Sequence, residues 1–506
     1  MRNILFFFTI VLSACSMPDM YNIRDFGAKS GGKILSTEAI QKAIDKCNRD
    51  GGGTVYIPAG TFLTGTIVLK SYVNLHFETG ATLLGCAEKT AYQVQGENRG
   101  IIFADDACNV SITGFGEIQG MGSSYHISDT PHVSNDFDRK YIRQGDKYMD
   151  GSDGFPDGPI KHNWRPGMMC VILRSNNVHI SDVTFRDSPE WTIRIGDCDG
   201  VNIQGIKVLN NPLIPNNDGI HCTHSRNIHI SDCHIEAGDD GIIVTGFPYG
   251  IEVDGSDRKK VAEATYGNKT RWAENVTVTN CTMSSRSAGI RIGYGMYPIR
   301  NCIFDNIVIY NSNRGIGIFS RDTGSIENIL FSNITIATRL HSGHWWGKGE
   351  PIHISAIQED KRYKAGAIRN IRFTNIISES ETGAIVYGAD TSIVEGIVFD
   401  NVKMTIRNSN IADSYGGNID LRPAVNPQNQ IFSHDIPGIY LYRANDVLIR
   451  NTQVVWRDSM ASYFTSAITA EKSENIIIDQ FRGEPAKGTT GHKAIDMIES
   501  KKVVIR

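Results

Sequence analysis

Asn177-Val178-His179-Ile180, Asn227-Ile228-His229-Ile230 and Asn275-Val276-Thr277-Val278 are three settings of one phrase, an asparagine followed by alternating residues with the apolar ones at every second place. The phrase returns as Asn109-Val110-Ser111-Ile112, Val201-Asn202-Ile203 and Asn301-Cys302-Ile303-Phe304. Later copies are Asn328-Ile329-Leu330-Phe331, Asn370-Ile371-Arg372-Phe373 and Asn475-Ile476-Ile477-Ile478. Steps from Asn177 to Asn202 to Asn227 are 25 residues each, and those from Asn275 to Asn301 to Asn328 are 26 and 27. Alternation marks half-buried strands, and a recurring period of this length marks a solenoid. The pattern predicts an all-β fold, a right-handed single-stranded parallel β-helix. Inward Val, Ile, Leu and Phe stack into one core, and the asparagines stack at the bends, each amide bonding to the next.

One helix is predicted. Ser36-Thr37-Glu38 opens it, Ala39, Ile40, Ala43, Ile44 and Cys47 form its apolar stripe, and it stops between Asn48 and Gly53. It caps the N-terminal end of the core, because a solenoid leaves its terminal coils open. A solenoid grows by adding coils, so residues 16–506 read as a single domain rather than several.

The first residues read as a targeting segment. Arg2 precedes an apolar run from Ile4 to Leu12, too short to span a bilayer. Leu12-Ser13-Ala14-Cys15 resembles a bacterial lipoprotein processing site, so 1–15 reads as a signal peptide with Cys15 the candidate lipidated residue, against an ordinary secretory signal with a chance cysteine. The expectation is an exported protein, periplasmic or on the cell surface, touching the membrane only through its lipid anchor. A net charge of −4 offers no basic field for nucleic acid. No CxxC or histidine-rich spacing appears, so neither metal nor cofactor is expected, and Cys233, Cys281 and Cys302 read as buried free thiols.

The chemistry centres on Asn216-Asn217-Asp218-Gly219 and, 21 residues later, Gly238-Asp239-Asp240-Gly241. A gap of about one coil sets these motifs on neighbouring rungs, roughly 4.8 Å apart. Flanking Gly238 and Gly241 relax the backbone, so both carboxylates can project outward. Crowded carboxylates cannot all ionise easily, so one holds its proton near neutral pH. An acid beside a base is what cleavage of a sugar–sugar bond requires. Residues 121–168, 247–272 and 339–366 break the period, and long excursions from a rigid frame are expected to wall the groove.

NNDGIH, GDDG and Ser188-Pro189-Glu190-Trp191, with the opening FGAK and the GGGTVYIPAGTF segment, resemble glycoside hydrolase family 28, the polygalacturonase-like pectin hydrolases. The likeness spans nearly the whole mature chain. It implies that Asp239 is the general acid, that Asp218 and Asp240 activate water, and that cleavage inverts the anomeric centre in one displacement. Two family elements are missing. The GHG histidine is replaced by Ala288 in Ser287-Ala288-Gly289, and the R-x-K element that clasps a uronate corresponds to Gly317-Ile318-Phe319. Arg291, Arg314 and Arg321 lie on the same or nearby coils and are candidates for a displaced anion clamp, against the reading that they are solvated or bind loop carbonyls. Trp345 and Trp346 are candidates for a stacking platform or for loop anchors. Glu350 is a candidate ligand contact, and His221 either faces the cleft or packs inward. The resulting reading is an exo-acting hydrolase of galacturonan or rhamnogalacturonan. A polysaccharide lyase with a Lys or Arg base, and a non-catalytic carbohydrate-binding β-helix, are the alternatives.

Overall fold

The computed structural model describes residues 20–94, 97–133, 136–148, 157–247, 272–457 and 459–506. The expected signal segment with Cys15, and most of the 247–272 excursion, lie outside the described residues.

The alternating phrase forms strands, and the strands coil into a right-handed parallel β-helix. Asn176–Ser181, Asp199–Gln204, Arg226–Ser231 and Ala273–Thr279 pair in parallel as one face. Thr184–Arg186, Lys207–Leu209, His234–Ala237 and Thr282–Ser285 pair as a second. Ile193–Gly196, Ile220–Thr223, Ile242–Gly246, Ala288–Gly295 and Arg314–Ser320 form the third, which carries the site. Further on, the first two faces fuse into long bent strands such as Ile326–Thr338 and Ile368–Ser380.

The interior is a set of ladders. Phe304, Phe331, Phe373 and Phe399 stack with ring centroids 5.1, 5.0 and 5.2 Å apart, each ring filling the same place on its rung. At the bends the amide of Asn275 donates to Asn227 at 3.0 Å, and that of Asn370 to Asn328 at 2.8 Å. Asn227, Asn275 and Asn328 take φ of 56°, 59° and 58°, the left-handed region that asparagine tolerates. Asn202 does not belong to this row. It pairs with His179, and the bend position in its coil is Gly200, with φ 72°. The bend-to-bend steps, Asn177 to Gly200 to Asn227, are 23 and 27 residues, and the even 25-residue spacing arises because Asn202 stands on the strand two places past the bend. Asp199 fills the gap by accepting from the Asn227 amide at 2.7 Å.

The predicted helix spans Thr37–Arg49 and buries Ala39, Ile40, Ala43, Ile44 and Cys47 against the first coils. A strand ahead of it, Met20–Asn22, already pairs with Thr54–Tyr56, so the sheet begins before the helix. Cys233, Cys281 and Cys302 are buried free thiols.

Candidate active site

The third face is built so that its rungs enter through tight bends. Gly219, Gly241, Gly289 and Gly315 occupy equivalent positions at the start of successive rungs, the first two just before their strands and the last two as the second residue of theirs, as the pairing of Ile220, Ile242, Ile290 and Ile316 shows. A Cβ on Gly241 would meet the Gly289 carbonyl at 2.5 Å, and one on Gly315 the Pro351 carbonyl at 2.4 Å. These glycines are therefore needed for close backbone approach; Gly238 likewise has Ile214 O where a Cβ would sit, at 2.2 Å. This differs from the conformational freedom expected of the glycines flanking Asp239 and Asp240. The residues ahead of the glycines stack in a row, so Asp218 lies beside Asp240, with Ala288 and then Arg314 on the following rungs.

That row opens into a cavity of about 240 Å³, to which Asp218, Asp239, Asp240, His221, Arg291, Arg314 and Trp346 all contribute. The three carboxyl groups are almost wholly withdrawn from bulk water, Asp239 being 6% exposed. Burial, then the neighbouring Asp240, push the Asp239 carboxyl up to about 7. Its two oxygens accept from the backbone N–H of Asn216 at 3.2 Å and of Asp240 at 3.0 Å. Asp240 is held differently. Its Oδ2 accepts from Arg291 Nη1 at 2.7 Å, and its Oδ1 from the Ala288 N–H at 2.8 Å. Burial alone would favour loss of the Arg291 proton, but Asp240 outweighs it and holds the guanidinium charged. Asp218 is pushed well above the usual carboxylate range by burial and by Asp239 and Asp240. Its Oδ1 has no hydrogen-bond partner among the described residues. One guanidinium thus sits among three carboxyl groups, and it is bonded to one of them.

His221 faces this cavity. Its ring packs 3.8 Å from that of Trp191, and its Nδ1 lies 3.4 Å from Asp218. Burial and the nearby Arg291 and Arg194 keep it well below the usual imidazole range. Arg314 also lines the cavity, over the ring of Phe319 at 4.9 Å and 3.4 Å from Glu350. The Phe319 ring folds back over Gly317, where an added Cβ would meet it at 2.6 Å. Aromatic surface therefore occupies the place at which the sequence resemblance leads one to look for cations.

Three candidates are placed elsewhere. Trp345 is 2% exposed and donates from Nε1 to the Asp157 carbonyl at 2.7 Å, which makes it the loop anchor and leaves the platform position to half-buried Trp346. Glu350 is fully buried beneath the cleft, between Arg314 and His353, and does not line it. Arg321 is likewise buried, bonded to the carbonyls of Ser355 at 2.9 Å and Leu421 at 3.0 Å. Of the excursions, 339–366 walls the cleft through Trp346, whereas 121–168 braces that wall from behind. Asp157 holds Arg339 and Ser342, and Arg165 reaches Pro215 O and Asn216. Phe247 lines the cavity at the edge of the third excursion.

Sequence reading missed Arg422 and Pro423, which close one side of the cavity. They come from a further break in the repeat, a turn leading from Asn418–Asp420 toward its antiparallel partner Ile431–Ser433. Arg422 stands 4.6 Å from the Trp346 ring, pairs with Asp420 at 2.8 Å and with Asp136 at 3.2 Å, and donates to the Trp345 carbonyl at 2.7 Å. The signal was present as the long gap between the copies of the phrase at Asn370 and Asn475.

A parallel β-helix with an acidic cleft set across adjacent rungs of one face has the acid and base groups that a carbohydrate-cleaving enzyme needs. The chain belongs to the glycosyl hydrolases family 28, whose family model matches residues 47–414, and it is a glycoside hydrolase. It is 26% identical over 401 residues to a probable polygalacturonase of Vitis vinifera, covering 75% of this chain and 72% of that protein. It is 28% identical over 361 residues to a polygalacturonase of Prunus persica, covering 65% and 81% respectively. In fold it is similar to the solved structure of a hyperthermoactive exopolygalacturonase from Thermotoga maritima, with TM-score 0.58 and 22% identity over 78% of this chain and 89% of that one. Arg422 and Pro423 lie beyond the matched segment.

Proposed function

We propose that the protein is an exo-acting, inverting hydrolase of galacturonan or rhamnogalacturonan. The observation that carries this reading is the unequal treatment of adjacent carboxyls. Asp240 is bonded to Arg291 at 2.7 Å, while Asp239 beside it is held by the backbone N–H groups of Asn216 and Asp240 and keeps its proton to about pH 7. Asp239 serves as general acid, donating to the leaving glycosidic oxygen. Asp240 serves as base toward the attacking water, and Asp218, whose buried Oδ1 has no hydrogen-bond partner among the described residues, orients that water. Trp346 stacks on a sugar ring, and Arg291 and Arg314 supply the positive charge facing a uronate. The small cavity, below the usual range of roughly 300–1,000 Å³ for ligand pockets, and the likeness in fold to an exopolygalacturonase support action at a chain end.

The test is incubation of the purified chain with pectic, rhamnogalacturonan and algal oligosaccharides, following product size and anomeric form by NMR. Single sugar units released with inverted configuration are expected. Retained configuration, unsaturated products absorbing in the ultraviolet, or no cleavage of any pectic substrate would defeat the reading.

A further inference from the structure

A second cavity, of about 610 Å³, opens on the C-terminal coils and is lined by Arg143, His434, Tyr440, Thr469, Glu471 and Asp496 among others. It lies beyond the family-matched segment except for Arg143. Its floor belongs to the same face as the active site. Tyr440, Thr469 and Asp496 stack on three successive rungs. Traced back through Ile385, His353 and Gly317, their row is the one that carries Arg291. Four rung steps separate Arg291 from Tyr440, which is about 19 Å at the ordinary strand spacing. The two cavities are therefore on one line along the solenoid.

The chemistry of the second cavity is aromatic and acidic. Two of its rings, those of His434 and the largely buried Tyr440, stand 4.6 Å apart, and Tyr442, 6.2 Å from Tyr440, and Tyr387, stacked on Tyr442 at 4.6 Å, continue the row outside the lining. Glu471 sits beside these rings, accepting from the Tyr440 hydroxyl at 3.3 Å, and Asp496 follows two rungs from Tyr440. Asp435 is on the rim, 63% exposed, and it pairs at 3.1 Å with Arg143, the one guanidinium among the lining residues. Carboxylates accept hydrogen bonds from hydroxyls, and ring faces cover the C–H surface of a sugar. Three carboxylates stand against two cations, Arg143 on Asp435 and Lys472 on Glu471 at 3.2 Å, so the excess charge is negative and disfavours a polyuronate.

We propose that this cavity is a second carbohydrate-binding site, selective for uncharged, hydroxyl-rich sugars such as the neutral branches of an acidic polysaccharide. It would hold the polymer while a chain end occupies the active-site cleft. The proposal rests on the carbohydrate reading of the chain for the class of ligand, but not on any catalytic role.

The test is calorimetric titration of the Asp239→Asn chain, which removes turnover, with β-1,4-galactotetraose and with tetragalacturonate. The neutral tetrasaccharide is expected to bind, and the double substitution Glu471→Gln with Asp496→Asn to weaken it at least tenfold while leaving tetragalacturonate binding unchanged. Thr469→Arg, which fills the floor and pairs with Asp496 on the next rung and Glu471 on the same strand face, is expected to abolish the same binding. No binding of the neutral sugar, binding indifferent to both variants, or loss of tetragalacturonate binding instead would overturn it. Hydrolysis by the wild-type chain is measured separately, so failure of this site and failure of the catalytic reading give different results.

Discussion

Asp239 shows how far a single residue's surroundings decide its use. In the unfolded chain its carboxyl loses a proton near pH 4, whereas the folded cleft holds that proton to about 7. Between those values the folded state binds more protons than the unfolded one, so this residue's contribution to stability falls as pH rises. Two results follow from the same shift. Asp239→Asn lowers kcat about a thousandfold, the usual scale for losing a positioned acid, yet it melts at a higher temperature than wild type at pH 8 and at the same temperature at pH 4. Wild-type turnover falls above about pH 7 as the acid ionises. Near-wild-type rates in the variant, or a melting difference that grows toward acid, would contradict the assignment. The aspartates were legible because a gap of about one coil is visible in a linear sequence. The ion pair that distinguishes Asp240 from Asp239 was not, because Arg291 is 51 residues away and reaches across a rung. Ala288 and Phe319 were legible only as losses; that a backbone N–H and an aromatic ring take up those places needed coordinates.

At the scale of elements, the cleft is a joint between excursions that the repeat itself does not predict. Arg422 binds Asp136 of one excursion, the Trp345 carbonyl and Trp346 ring of a second, and Asp420 of its own. Lys348 beneath it is bonded to the Tyr148 hydroxyl, and burial lowers its ammonium to about 8. Buried charges of this kind are costly unless each is answered, so removing one partner costs more than the pair contributes. Arg422→Met is therefore expected to loosen Trp346 and raise KM about tenfold, with kcat changed less than twofold, because no reacting group is touched. Arg422→Lys, which keeps the charge but not the planar fork, should recover only part of the loss. Steady-state kinetics on a cleaved oligosaccharide checks this, and a fall in kcat at constant KM would place Arg422 in the chemistry instead. The register slip at Asn202 belongs to this scale too. A strand period of two fixes which residues point inward, but asparagine occurs on strands as well as at bends. Only the pairing of Asn202 with His179 separates the two uses.

For the whole molecule, the governing fact is that each rung of the stacked strands pairs only with its neighbours, while the excursions tie distant coils together around the cleft. Stability in such a stack is close to a sum of coil and interface terms, and opening starts where an interface is weakest. The helix Thr37–Arg49 covers the core at the first coils, with Ile40 and Ile44 fully buried. The stripe was readable because helical and strand periods differ, and the capping role because a solenoid end needs covering. The excursions were visible only as interruptions, since residues that fold against one another from 136, 345 and 422 carry no shared period. Ile44→Asp buries an unpaired carboxylate under the cap, a loss of several kcal/mol by comparison with other buried charges. In a two-state globule that cost would lower protection everywhere. In this stack it is expected to raise hydrogen exchange first in Gly53–Ile57, Gly60–Thr64 and Val73–Phe77, while strands Ile220–Thr223 and Ile242–Gly246 around the cleft keep wild-type protection and the chain keeps its turnover. Exchange followed peptide by peptide in mass spectrometry decides it: a uniform loss of protection along the chain would show that the coils open as one unit, and that the rigidity of the cleft depends on the cap as much as on its own rungs.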